Sequence, residues 1–162
     1  MAKKIDVPQP AAGTEVKGGS GNLQFLRDFM ALKGISVPEA AQELGYTRHA
    51  ILKWFRNDDA QLSTVQDLIA RYGYSLVLSY RRPDTGSVQI SLPDEPQGAG
   101  RLAFLDRGLK LAGLSRKGAS QLLGLSDASV SYWLRVDDCA ISHLFEFAEK
   151  TGMVLSIEIR KR

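Results

Sequence analysis

The chain is written twice. Leu23–Arg82 aligns with Leu102–Lys161 without a gap, at a constant offset of 79 residues. Identical pairs include Leu23/Leu102, Phe25/Phe104, Leu26/Leu105, Gly34/Gly113, Ser36/Ser115, Ala40/Ala119 and Gln42/Gln121. They continue through Leu44/Leu123, Gly45/Gly124, Trp54/Trp133, Arg56/Arg135, Asp58/Asp137, Asp59/Asp138, Gly73/Gly152, Leu76/Leu155 and Arg81/Arg160. Register kept over about sixty residues marks a duplicated structural unit. The duplication carries a Trp-x-Arg-x-Asp-Asp signature, WFRNDDA at Trp54–Ala60 and WLRVDDC at Trp133–Cys139. Paired carboxylates suggest metal or acid–base chemistry; the same residues can equally mark a helix end.

Outside the repeats the chain is connective. Met1–Asn22 is rich in Gly, Pro, Ala and Lys without periodicity, and reads as a disordered tail. Pro93–Gly100, PDEPQGAG, reads as a linker between a first module over 23–92 and a second over 101–162. A chain of 162 residues, 44% hydrophobic, is long enough for one ordinary domain or two very small ones. No apolar run reaches membrane-spanning length and the start lacks a secretory h-region, so no membrane association is expected. The single Cys139 excludes an internal disulfide framework and fits a reducing cytoplasm. A net charge of +3 and a pI near 9.1 permit nucleic-acid binding without arguing strongly for it.

Within the first module, Leu23, Leu26, Met30 and Ala31, widened by Phe25, Phe29 and Leu32, have helical spacing that Gly34 stops. Ser36-Val37-Pro38-Glu39 is a capping box for a short second helix ending at Gly45. Thr47 caps a third from Arg48 to about Arg56, and Ser63-Thr64-Val65-Gln66 reads as the capping box of a fourth ending near Gly73. The period then falls to two: Leu76, Leu78 and Tyr80 form one strand, Pro83–Gly86 a turn, and Val88, Ile90 and Leu92 a second strand. Met153, Leu155, Ile157 and Ile159 alternate likewise in the second module, which lacks a second strand. A two-stranded hairpin is marginal alone, so the C-terminal strand should join the first module's hairpin or pair with another chain. The expected fold class is mainly α with a small β-sheet.

Two short helices around a tight Gly turn suggest a helix-turn-helix. The segments SVPEAAQELGYTRHAILKWF and SRKGASQLLGLSDASVSYWL resemble the lambda-repressor-like (Cro/C1-type, XRE) helix-turn-helix family. They share a small residue and Gln in helix two (Ala40, Gln42; Ala119, Gln121), Leu-Gly at the turn, an aliphatic in helix three (Ile51; Val130) and a Trp near its end. The resemblance covers about 120 residues and leaves the strands outside the family's helical core. It implies a bacterial or phage-type, nucleoid-associated transcriptional regulator whose third helix enters the major groove of double-stranded DNA.

Carried over position by position, the resemblance assigns DNA contact to Arg48, His49, Leu52, Lys53 and Arg56, with Ala50 allowing close approach. Arg48 suits guanine O6/N7, while Lys53 and Arg56 suit phosphates. Leu52 departs from the usual polar residue and could meet a thymine methyl or a protein partner. In the second module the corresponding positions are Ser126, taken as the helix cap, then Asp127, Ala128, Ser129, Ser131, Tyr132 and Arg135. Asp127 favours the helix dipole and repels phosphate. Arg116 and Lys117 lie where positive charge opposes that dipole, a placement that suits an external anion.

No Gly-rich phosphate loop, nucleophile elbow or Ser/His/Asp set is present, so no enzyme activity and no cofactor are expected. Cys139 and His143, separated by three residues that include a capping Ser142, lack the further ligands zinc needs. Trp54 and Trp133 read as core aromatics closing helix three onto helices one and four, and the Asp-Asp pairs as turn and capping residues. Unpaired strand edges make a homodimer a reasonable expectation. Leu52, Asp127 and the small net charge keep a second reading open: a protein-interaction module on this scaffold, such as an antiactivator or antitoxin-like neutraliser.

Overall fold

The computed structural model describes residues 15–16, 21–83, 89–91 and 100–162. Its elements run β1 (Glu15–Val16), α1 (Gln24–Lys33), α2 (Val37–Leu44), α3 (Arg48–Asn57), α4 (Leu62–Arg71), β2 (Tyr74–Arg82), β3 (Gln89–Ser91), α5 (Ala103–Ala112), α6 (Arg116–Leu122), α7 (Ser129–Val136), α8 (Ile141–Thr151) and β4 (Val154–Lys161). The protein is thus mainly helical with a small antiparallel sheet. Four helices followed by a strand occur twice, as the repeat requires.

Local chemistry explains several boundaries. Gly34 and Gly45 end α1 and α2 in the left-handed region, at φ 67° and 71°, where a residue without Cβ is unstrained. The Ser36 hydroxyl accepts from the Glu39 backbone N–H, and the Glu39 carboxylate accepts from the Ser36 N–H. Thr47 caps α3 by accepting from the Ala50 N–H at 3.2 Å; such a cap contributes about 1 kcal/mol. The predicted caps of α2 and α3 are therefore present.

The strands answer the question of the missing partner. The sheet order is β1-β4-β2-β3, and β4 pairs antiparallel with β2 along its whole length, from Tyr74↔Lys161 to Arg81↔Val154. The C-terminal strand thus joins the first module's hairpin within the same chain. β2 has a second neighbour, β3, along Tyr80–Arg82, and β4 has one, β1, along Leu155–Ser156, so the open-edge reason for a homodimer is removed only along those short stretches. Glu15–Val16 lies within the segment expected to be a disordered tail, yet it pairs with Leu155 and Ser156 of β4. The rest of that segment apart from Gly21 and Asn22, the tip of the predicted turn after Pro83, and the linker before Gly100 lie outside the described residues.

The pairing also relates the two units. Leu78 faces Ile157 and Gln61 faces Ala140, each a pair of equivalent repeat positions. Leu62 N–H donates to the Cys139 carbonyl and Ile141 N–H to that of Ala60, both at 2.9 Å. A pseudo-two-fold axis therefore passes through these two pairs, and the chain is built like a dimer whose halves are joined. Around the axis Leu62, Ile141 and Leu144 meet Leu76, Leu78, Leu155 and Ile157. The alternating burial of β2 and β4 turns one sheet face onto the helices, and the buried apolar residues of both units form one core.

Tyr80 of β2 is the largest fully buried side chain of that core. Its ring stacks on Phe104 of α5 at 5.4 Å and meets Phe147 of α8 edge-on at 5.3 Å. Its hydroxyl donates to the Leu144 carbonyl at 2.8 Å, and burial holds the phenol pKa well above its ordinary value. Gly108 makes room: a Cβ there would lie 2.7 Å from Tyr80 Cδ2. The repeat places Phe29 at the position of Gly108 and Ile159 at that of Tyr80. The first unit thus carries the larger residue at both positions. Gly108→Ala should gain up to about 1 kcal/mol of helix propensity and lose roughly 1–3 kcal/mol to overpacking. The expected result is a lower urea midpoint at unchanged denaturant slope.

Candidate nucleic-acid interface

Among the described residues, five of the eight helices begin without a side-chain cap from their own N-cap residue: α1, α4, α5, α7 and α8. Their exposed N–H groups are met through space. Asp58, which ends α3 in the left-handed conformation, accepts from Leu23 N–H at 2.9 Å and Asn22 N–H at 2.7 Å, capping α1. Asp137 does the same for α5, accepting from Leu102 and Arg101 N–H at 2.8 and 2.6 Å. The second aspartate of each pair crosses to the other unit. Asp59 accepts from Ser142 N–H at 2.8 Å and Ser142 Oγ at 2.7 Å, at the start of α8. Asp138 accepts from the N–H and Oγ of Ser63 at the start of α4.

The twice-written carboxylates are therefore caps, each for a different helix. This corrects the reading of Ser63 and Ser142 as caps: each is the second residue of its helix and donates its hydroxyl to an aspartate of the opposite unit. Ser126 is corrected likewise. α7 starts at Ser129, and the Val130 N–H donates at 3.0 Å to the buried Ser120 hydroxyl of α6, while Ser126 Oγ lies 2.8 Å from Ser129 Oγ. Local sequence windows cannot show such caps. The legible signal was an excess: four aspartates without a metal-ligand set, and several helix starts without a local cap.

The aspartates fix the far end of α3 and α7. Asp59 N–H donates to the Trp54 carbonyl at 3.0 Å and Asp138 N–H to that of Trp133 at 3.1 Å. Arg27 reinforces α3 by donating to the Phe55 carbonyl at 2.9 Å with its guanidinium over the Phe55 ring. Trp54 and Trp133 are half-buried against the core. Trp133 stacks on His143 of α8 at 4.4 Å, and Trp54 meets Tyr46 edge-on at 6.1 Å.

With Ile51 buried inward, α3 turns Arg48, His49, Leu52, Lys53 and Arg56 to solvent. The helix contains no acidic residue, and its three permanent cations make no ion pair among the described residues. Leu52 is 43% exposed, an apolar side chain among cations.

α7 presents a different face. Tyr132, 52% exposed, and Val136 stand where α3 has Lys53 and Asn57, and Ser131 takes the place of Leu52. The Arg135 guanidinium sits over the Tyr132 ring at 5.1 Å. Arg116 and Lys117 have carboxylates of their own: Arg116 lies 3.7 Å from Asp106, and Lys117 lies 3.8 Å from Asp127. Asp127 also accepts from Gln121 Nε2 at 3.1 Å. The positive charge at the start of α6 thus has internal partners, which weakens the case that an external anion explains it. All four groups are substantially exposed, so these pairs contribute little to stability.

Cys139 is buried, and burial pushes its thiol pKa up, with Asp138 and Asp59 adding to the shift. Among the described residues, no three His, Cys, Asp or Glu side chains converge as metal ligands, and no helix is long and apolar enough to cross a membrane. No family model, curated protein or solved structure matches the chain.

Proposed function

We propose that the chain is a sequence-specific double-stranded DNA-binding transcriptional regulator, with α2–α3 and α6–α7 as two helix-turn-helix pairs. The observation that carries this reading is the free cationic face of α3: Arg48, His49, Lys53 and Arg56 exposed on a helix capped by Thr47 and fastened at its far end. Arg48 reads a guanine edge near the helix N-terminus, and Lys53 and Arg56 hold phosphates. The pseudo-two-fold lets one chain act as a repressor dimer does, covering half-sites about one helical turn apart. The two faces differ, so the site is asymmetric, with the first unit supplying most of the phosphate affinity. Ser129, Ser131, Tyr132 and Arg135 supply the second unit's contacts, helped by Arg116 and Lys117 where phosphate competes with Asp106 and Asp127.

The test is selection of bound duplexes from a random pool. The expected outcome is an enriched asymmetric motif with two unequal halves. A second reading, a protein-interaction module, is favoured by exposed Leu52, Tyr132 and Val136 on the same two helices. A pool that fails to enrich, together with a protein ligand whose binding is lost on Leu52→Asp and Tyr132→Asp, establishes that reading instead.

A further inference from the structure

We infer that Asp59 and Asp138 form a reciprocal clamp that sets the separation of α3 and α7, and through it the spacing of the half-sites the chain accepts. The spacing part rests on the DNA reading above; the clamp itself rests on geometry alone.

A single residue lies between each reading helix and its clamp. α3 ends at Asn57, Asp58 turns the chain while capping α1, and the Asp59 N–H is held by the Trp54 carbonyl. The Asp59 side chain then grips the start of α8, and Oδ1 also accepts from Ala60 N–H at 3.0 Å. α7 reaches the start of α4 through Asp138 by the same route, with Oδ1 accepting from Cys139 N–H at 3.0 Å. Between the two clamps run the Leu62–Cys139 and Ile141–Ala60 backbone bonds. The ends of α3 and α7 are thus joined through one short, fully bonded crossing at the pseudo-two-fold.

The units do not depend on this crossing to stay together. The eight residue pairs of β2 and β4 and the shared core hold them independently. Removing the clamp should therefore leave a folded chain whose α3 and α7 can change separation. That makes Asp59 and Asp138 positioning residues, remote from the bases yet decisive for where the second helix lands. The repeat keeps both because the clamp is reciprocal.

The test compares the parent chain, Asp59→Ala/Asp138→Ala and Asp59→Asn/Asp138→Asn, each first shown folded by circular dichroism. Binding is measured on duplexes carrying the selected half-sites separated by one to four extra or missing base pairs. The parent should favour one spacing by about tenfold, and the Ala pair should lose most of that preference. Asn keeps an acceptor for the serine N–H and should restore much of it, which mere destabilisation would not predict. A folded Ala pair with undiminished spacing preference overturns the inference.

Spin labels at Glu43→Cys and Leu122→Cys, equivalent exposed positions on α2 and α6, report the separation without DNA. The native thiol is buried. The distance distribution should broaden in the Ala pair, and an equally narrow one removes the clamp. If no chain binds any duplex, the spacing claim fails with the DNA reading, while the distance distribution still decides the clamp.

Discussion

Tyr80→Ala should remove a large share of the protein's stability and lower its urea midpoint accordingly. Removing a buried aromatic typically costs about 3–5 kcal/mol, against a total stability for small proteins of about 5–15 kcal/mol. Here the upper part of that range applies, because the ring is fully buried between Phe104 and Phe147 and links β2 of one unit to α5 and α8 of the other. The site cannot easily collapse, since Gly108 beside it has no side chain to move in. Tyr80→Phe separates packing from hydrogen bonding. It removes only the bond to the Leu144 carbonyl and should cost about 1 kcal/mol. Urea unfolding of the three proteins measures both.

The repeat supplies a sharper form of the same test. Gly108→Phe alone should be at least as damaging as Tyr80→Ala, since a phenyl group has no space beside the Tyr80 ring. Combined with Tyr80→Ile it recreates the residue types found at the two repeat-equivalent positions, Phe29 and Ile159. The double variant should be more stable than the two single losses sum to, a coupling that neighbouring residues show and distant ones do not. Simple addition would mean that the two positions do not exchange volume.

Alanine at Arg48, Lys53 and Arg56 should abolish measurable specific duplex binding at physiological salt. Loss of one guanidinium from a guanine edge costs about 1–3 kcal/mol, or roughly five- to 150-fold in affinity. Removing each phosphate-binding cation should also reduce the slope of log affinity against log salt by about 1. The substitutions should leave stability within about 0.5 kcal/mol, because all three side chains are exposed and unpaired among the described residues. Arg116→Ala with Lys117→Ala should weaken binding much less, because Asp106 and Asp127 already hold those cations. Salt-dependent binding that survives the triple substitution would sink the DNA reading and leave the exposed Leu52 and Tyr132 as the residues to pursue.

Much of the local structure is legible along the chain. Ser36 with Glu39, Thr47, and the glycines after α1 and α2 act within a few residues, through φ preferences and short-range hydrogen bonds that neighbours in sequence determine. The period change after Gly73 likewise marks the strand whose alternate residues are buried. Exposure of the α3 residues follows from the same periodicity, because Ile51 must face inward.

The misread positions share one physical cause. Ser63, Ser142 and Ser126 look like caps in sequence, yet the acceptors that matter arrive from Asp138, Asp59 and Ser120, carried there by packing. The partners of Arg116 and Lys117 are likewise set by how α5, α6 and the segment before α7 meet.

The sequence by itself determined that one helical unit is written twice, where most of its helices begin and end, and which helix carries the free cations. These depend on interactions spanning a few residues and on periodicity, which a single chain displays openly. The tertiary structure alone decided that β4 returns to β2, that the halves meet about a pseudo-two-fold axis, and that each Asp-Asp pair caps one helix in its own unit and one in the other. Those outcomes depend on hydrogen-bonding groups dozens of residues apart being brought within 3 Å of one another, an arrangement fixed only once both apolar faces are buried in a common core.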